Sequence, residues 1–165
     1  SLYDHPRNIS DDLLRKVAAD GGVIQINALG AYIEDLEPPA ERVEAMEALS
    51  EEFNGISPFD LSSNERERYL ARRQEINETY PMPLSSFEVF MDQMLHALAI
   101  VGPDHVGMGA DWDGGGGVAG MEDVSDLPKV TERLLEEGYS KEDLEKIWGG
   151  NLLRIMRQAE AAKQN

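Results

Sequence analysis

Only two segments of this chain read as buried β-strands, and that number limits what it can form. Val23-Ile24-Gln25-Ile26-Asn27 is short, β-branched and nearly all apolar, as a strand covered on both faces of a parallel sheet must be. His105-Val106-Gly107-Met108-Gly109-Ala110-Asp111 is the second, lined by small residues. Two parallel strands close no barrel and make no doubly wound sheet. The 165 residues are therefore expected to be part of a larger α/β layer.

The remaining periodicity is helical. Ser10 followed by Asp11 and Asp12 predicts a capped helix with Leu13, Leu14, Val17 and Ala18 on its apolar face, ended by Gly21-Gly22. Ser85 and Ser86 open another, with Phe87, Phe90, Met91, Met94, Leu95 and Leu98 as its stripe and Gly102-Pro103 as its stop. Beyond a glycine-rich loop at 114–120, a helix is predicted from about Ser125 to Glu137. Ser140-Lys141-Glu142-Asp143 resembles a capping box for the next helix. Gly149-Gly150-Asn151 restarts a last one, whose tail after Glu160 is expected to fray. The stretch at about 34–83 differs. It is strongly charged and carries two helical patterns, Val43, Met46, Leu49, Phe53 and then Tyr69, Arg73, Ile76, Tyr80, broken by Asn54-Gly55-Ile56-Ser57-Pro58. It reads as a helical hairpin inserted into a loop.

Charge narrows the partners. The net charge is −17, from 32 acidic and 15 basic residues. Such a surface repels phosphate backbones, so neither nucleic acid nor an anionic membrane is an expected partner. No apolar run approaches the roughly 20 residues of a membrane helix. There are no cysteines, which rules out disulfides and thiolate metal sites and favours the cytoplasm. The chain opens on Ser1 rather than Met, which is expected of a processed chain or a piece of a longer one.

Gly109-Ala110-Asp111-Trp112-Asp113-Gly114 is the sharpest local feature. A strand delivers Asp111 at its C-terminal end, where α/β folds place their chemistry. The pattern alone leaves a catalytic aspartate and a plain Asp-Gly turn both open. Counted from Asp111, Asp113, Gly116 and Glu122 also fit part of a calcium loop, but Gly115 stands where an oxygen ligand belongs and a strand precedes instead of a helix. No Gly-Lys-Ser/Thr follows the glycines, so they form no phosphate loop. Arg7, just before a helix start in a chain short of positive charge, fits a surface or capping role when taken alone.

Together these segments resemble the membrane (renal) dipeptidase family. The resemblance rests on His5-Pro6-Arg7-Asn8-Ile9 with Asp11-Asp12 and Gly21-Gly22-Val23-Ile24, and on His105 to Gly114. It rests equally on Gly120-Met121-Glu122-Asp123-Val124-Ser125 and Gly149-Gly150-Asn151-Leu152-Leu153-Arg154. The four occur in the family's order and cover nearly the whole chain. The resemblance implies the C-terminal part of a (β/α)8 TIM-type barrel, residues 1–165 forming one partial domain with its insertion at about 34–83. It implies a dizinc enzyme cleaving the peptide bond of dipeptides.

In that family the zinc ligands lie on earlier strands and would precede Ser1. No metal ligand is assigned to this chain, and His5, His96 and His105 are read as structural. The resemblance assigns catalysis to Asp111, passing a proton from the attacking water to the leaving amine, and substrate binding to Arg7, gripping the dipeptide's C-terminal carboxylate. The expected partners are a dipeptide, the missing N-terminal part of the barrel and a second copy in a homo-oligomer. The isolated chain is expected to be inactive. The alternatives are a non-catalytic binding protein that retains part of the barrel, and a calcium-binding loop protein.

Overall fold

The computed structural model describes residues 2–163. The chain divides into two compact units, one from Ser1–Asp35 with Leu84–Asn165 and the other Leu36–Pro83. The first unit is an α/β arrangement in which helices far outnumber strands. Its strands β1 (Ile24–Ile26) and β2 (Val106–Met108) pair in parallel, Ile24 opposite Val106 and Ile26 opposite Met108. Both are shorter than the sequence predicts, because pairing lasts only while the two backbones run side by side. Past Met108 a single further bond, from the Gly109 N–H to the Ile26 carbonyl at 2.9 Å, closes the ladder.

Helix α1 (Asp11–Ala19) starts where expected, with the Ser10 hydroxyl accepting the Leu13 N–H. Helix α4 (Phe87–Val101) starts at Ser86, whose hydroxyl accepts the Val89 N–H. It ends at Gly102, held at φ 75°, where a residue with a Cβ would be strained. The apolar stripe of α4 forms the centre of the core: Phe90, Met91 and Met94 are fully buried with Val106 of β2.

The core continues into segments that the sequence leaves without regular structure. Val118 and Met121 of the glycine-rich loop are fully buried. The loop turns back on the first strand's end through the Gly117 N–H to the Ala28 carbonyl at 2.9 Å, and on the start of α4 through the Ala119 N–H to the Ser85 carbonyl at 2.7 Å. Helix α5 (Leu127–Glu136) contributes Val130 and Leu134 to the same core. Helix α6 (Lys141–Glu145) begins on the Ser140–Asp143 capping box, and the chain kinks at Gly149, whose backbone leaves the helical region, within Lys146–Gly150. Helix α7 (Asn151–Lys163) follows. It continues past Glu160, with the strong helix formers Ala161 and Ala162, to Lys163. The two residues beyond lie outside those described.

Asn151 is buried, and its side-chain amide donates to the carbonyls of Pro103 at 2.7 Å and Val106 at 2.9 Å. Arg154 donates to the carbonyls of Gly21 at 2.7 Å and Asp104 at 2.9 Å. The Gly-Gly-Asn-Leu-Leu-Arg motif thus ties the last helix to the chain entering both strands.

The second unit pairs α2 (Ala40–Glu52) with α3 (Ser63–Thr79) around Leu49, Phe53, Leu61 and Ile76. Arg42 links the pair by donating to the Tyr80 carbonyl and the Asn77 side chain, both at 2.8 Å. Among the described residues no helix is long and apolar enough to cross a membrane.

Candidate functional site

Asp111 stands three residues past the end of β2. Its backbone is left-handed, φ 60° and ψ 32°, an uncommon state for a residue with a side chain. The loop enforces it: the Asp111 carbonyl accepts the N–H of Gly114 at 3.0 Å and of Gly116 at 2.7 Å. A Cβ on Gly116 would overlap the Ala110 carbonyl oxygen, and one on Gly114 would overlap the Asp111 carboxylate. The glycine run is therefore a clamp that turns the strand's end back beneath one carboxylate.

That carboxylate has a partner on the neighbouring strand's end. Asn27 donates from Nδ2 to Asp111 Oδ2 at 3.0 Å. The Asn27 Oδ1 accepts the Leu29 N–H at 2.7 Å, which fixes which edge of the amide faces Asp111. The parallel register places Ile26 opposite Met108, so both chains leave the sheet at the same end and the two side chains meet there. The sequence marks Asn27 only as the last residue of a strand.

Arg7 is built differently. It is exposed, and its guanidinium carbon sits 5.5 Å from the centre of the Tyr32 ring, within cation–π range. His5 packs on the same ring, 4.8 Å between centroids, and its Nδ1 accepts the Arg7 backbone N–H at 3.2 Å. Asn8 secures the loop by donating to the carbonyls of Tyr3 at 3.0 Å and Tyr32 at 2.6 Å.

Arg7 and Asp111 do not line one cavity. Arg7 borders a space of about 290 Å³ together with Asn27, Tyr32 and His96. Asp111 borders another of about 410 Å³ with Trp112, Asp113, Leu127 and Trp148. Asn27 connects them, lining the first and bonding the carboxylate of the second.

The other histidines are in local contacts. His96 Nε2 lies 2.9 Å from Asp11 Oδ1. His105 Nδ1 lies 2.8 Å from the Gly22 carbonyl; a carbonyl only accepts, so this nitrogen carries the proton. Among the described residues no group of three His, Cys, Asp or Glu is placed to hold a metal ion. The calcium-loop alternative fails on local structure, since Asp111 follows a strand and not the helix such a loop requires.

The Gly120–Ser125 motif is a hydrogen-bonded cap. Asp123 accepts the Ser125 hydroxyl and N–H, which hold its carboxyl below the usual range. Lys129 holds the Asp126 carboxyl down as well, while also donating to the Gly120 carbonyl at 2.7 Å.

The sequence profile of the family described as Membrane dipeptidase (Peptidase family M19) matches residues 1–165. Dipeptidase ataJ of Aspergillus terreus is 28% identical over 161 residues, 97% of this chain and 28% of that protein. Dipeptidase tcpJ of Claviceps purpurea is 42% identical over 77 residues, 46% of this chain and 18% of that protein. The crystal structure of the probable dipeptidase PvdM from Pseudomonas aeruginosa superposes with a TM-score of 0.63 at 32% identity, covering 93% of this chain and 41% of that one. The chain thus spans less than half the length of each of these proteins.

Proposed function

The chain belongs to the membrane dipeptidase family, and on that premise we propose that it is the C-terminal segment of a zinc-dependent enzyme hydrolysing dipeptides. In this reading β1 and β2 are neighbouring strands of a (β/α)8 barrel. Their parallel pairing across α4 and the likeness to PvdM support it. Zinc enters through the family resemblance alone. The described residues hold no group to bind it, and its ligands would come from outside this chain.

The observation that carries the proposal is the Asp111 carboxylate, presented at the C-terminal end of β2 and held by Asn27. Peptide hydrolysis adds water to the carbonyl carbon, breaks the C–N bond and delivers a proton to the departing nitrogen. Asp111 takes the proton from the water and returns it to the amine, ending the cycle unchanged. Arg7 receives the substrate's C-terminal carboxylate. Its guanidinium offers a planar face to Tyr32 and keeps its N–H edge for a bidentate grip. Against a −17 net charge the substrate's carboxylate needs a basic group close at hand.

The complete protein, loaded with zinc, tests this on a panel of dipeptides and their C-terminal amides. Hydrolysis of the free acids in preference to the amides is expected. Failure to cleave any dipeptide rejects the proposal, and binding without cleavage points to the non-catalytic alternative.

A further inference from the structure

We propose that Asn27 is a positioning residue for Asp111, holding the carboxylate in the orientation from which it exchanges protons. The inference rests on the reading of Asp111 as the proton carrier. It starts from a division of labour within one amide. Oδ1 accepts the Leu29 N–H at 2.7 Å and anchors the side chain to its own backbone. Nδ2, thereby directed outward, donates to Asp111 Oδ2 at 3.0 Å. On the other side, the Asp111 Oδ1 lies where a Gly114 side chain would begin. The carboxylate is held between a donor and a bare glycine. One oxygen is engaged and the other is left to the reacting groups. An exposed carboxylate without that donor would rotate about its side-chain bonds and spend less time aligned.

Two substitutions separate this role from a purely structural one. Asn27→Ala removes both contacts. Asn27→Asp keeps an oxygen for the Leu29 N–H, but replaces the donor facing Asp111 with a second carboxylate. A residue that only caps its own turn would tolerate aspartate; a positioning residue would not. In the complete zinc-loaded enzyme, Asn27→Ala is expected to lower kcat roughly 10- to 100-fold with KM unchanged. Asn27→Asp is expected to lose at least as much while keeping the wild-type melting temperature and metal content. If Asn27→Ala does not fold, Asn27→Asp carries the test alone. In an Asp111→Ala background neither substitution should reduce the residual rate further, because the group being positioned is gone. Wild-type turnover in Asn27→Asp overturns the proposal, as does an undiminished loss in the Asp111→Ala background. Wild-type turnover in Asp111→Ala alone defeats instead the assignment of Asp111 beneath it, so the two failures are told apart.

Discussion

The Arg7 guanidinium carbon lies 5.5 Å from the centre of the Tyr32 ring, and Tyr32 is held both at its ring and at its backbone. His5 packs on the ring, and the Tyr32 carbonyl accepts the Asn8 side chain at 2.6 Å. An arginine in a loop would ordinarily sample many rotamers. Here the aromatic face removes part of that freedom before any ligand arrives, which lowers the ordering cost of binding.

Arg7→Ala should therefore raise KM for dipeptides with kcat held, since the carboxylate takes no part in the bonds made or broken and is bound alike in ground and transition states. The loss expected for one charge-assisted contact is about 1.5–3 kcal/mol. C-terminal amidation of the substrate should harm the wild type and hardly affect Arg7→Ala. Steady-state kinetics on the four enzyme and substrate combinations measures this, and equal harm to both enzymes would remove Arg7 from that role.

Asp111→Asn should show the opposite split. The amide keeps the size and the turn but takes up no proton. A fall in kcat of roughly 10²–10⁴ is expected, with KM and metal content unchanged. Turnover kinetics beside metal analysis decides it; normal turnover would reduce Asp111 to a turn residue.

The two strands were legible in the sequence because each is a short contiguous apolar pattern, whereas Arg7 and Asp111 were given their roles only through the family resemblance of four motifs spread along the chain. Asn27 was not legible, since its importance comes from the parallel register that sets it beside a residue 84 positions away. Val118 and Met121 were hidden for a related reason. They sit among glycines that read as loop, and they are buried because that loop folds back onto Ala28 and Ser85. The break at Gly149, by contrast, was marked in the sequence by Gly149-Gly150-Asn151, where a new helix is read to start.

The buried Asn151 amide satisfies two carbonyls at once. Asn151→Ala should destabilise the protein by about 2–4 kcal/mol, because both acceptors lose their donor in a site closed to water. Asn151→Asp should be worse, as a carboxylate offers those carbonyls only further acceptors. Denaturant unfolding of the complete protein is the measurement, and a shift within experimental error for both would mean that water replaces the amide.

Acid should expose the helix caps. Glu65, Asp123 and Asp143 are each held below the ordinary carboxylate range, chiefly by hydrogen bonds from Ser62, Ser125 and Ser140. A depressed folded-state value means stability that is present above the ordinary range and lost as pH falls through the depressed one. Ser62→Ala, Ser125→Ala and Ser140→Ala should each lower the melting temperature near neutrality, with the gap to wild type closing in acid. A gap constant across pH would show that the hydroxyls act by helix capping alone.

The glycine clamp gives the most selective test, because three adjacent glycines meet different obstacles. A Cβ on Gly114 overlaps the Asp111 carboxylate, the movable end of a side chain. A Cβ on Gly116 overlaps the Ala110 carbonyl and comes within 2.8 Å of the Asp111 carbonyl oxygen, both backbone atoms of the turn. Gly115 meets nothing within 4 Å but sits at φ +97°. Gly114→Ala should thus push the carboxylate off Asn27 and lower kcat, roughly 10- to 100-fold, at little cost in melting temperature. Gly116→Ala should lower both, because the turn itself must open. Gly115→Ala should cost about 1–2 kcal/mol of backbone strain and leave kcat near wild type. Melting temperatures and kcat for the three variants of the complete enzyme are the measurement. If Gly114→Ala retained full turnover, the orientation of the Asp111 carboxylate would not limit the reaction.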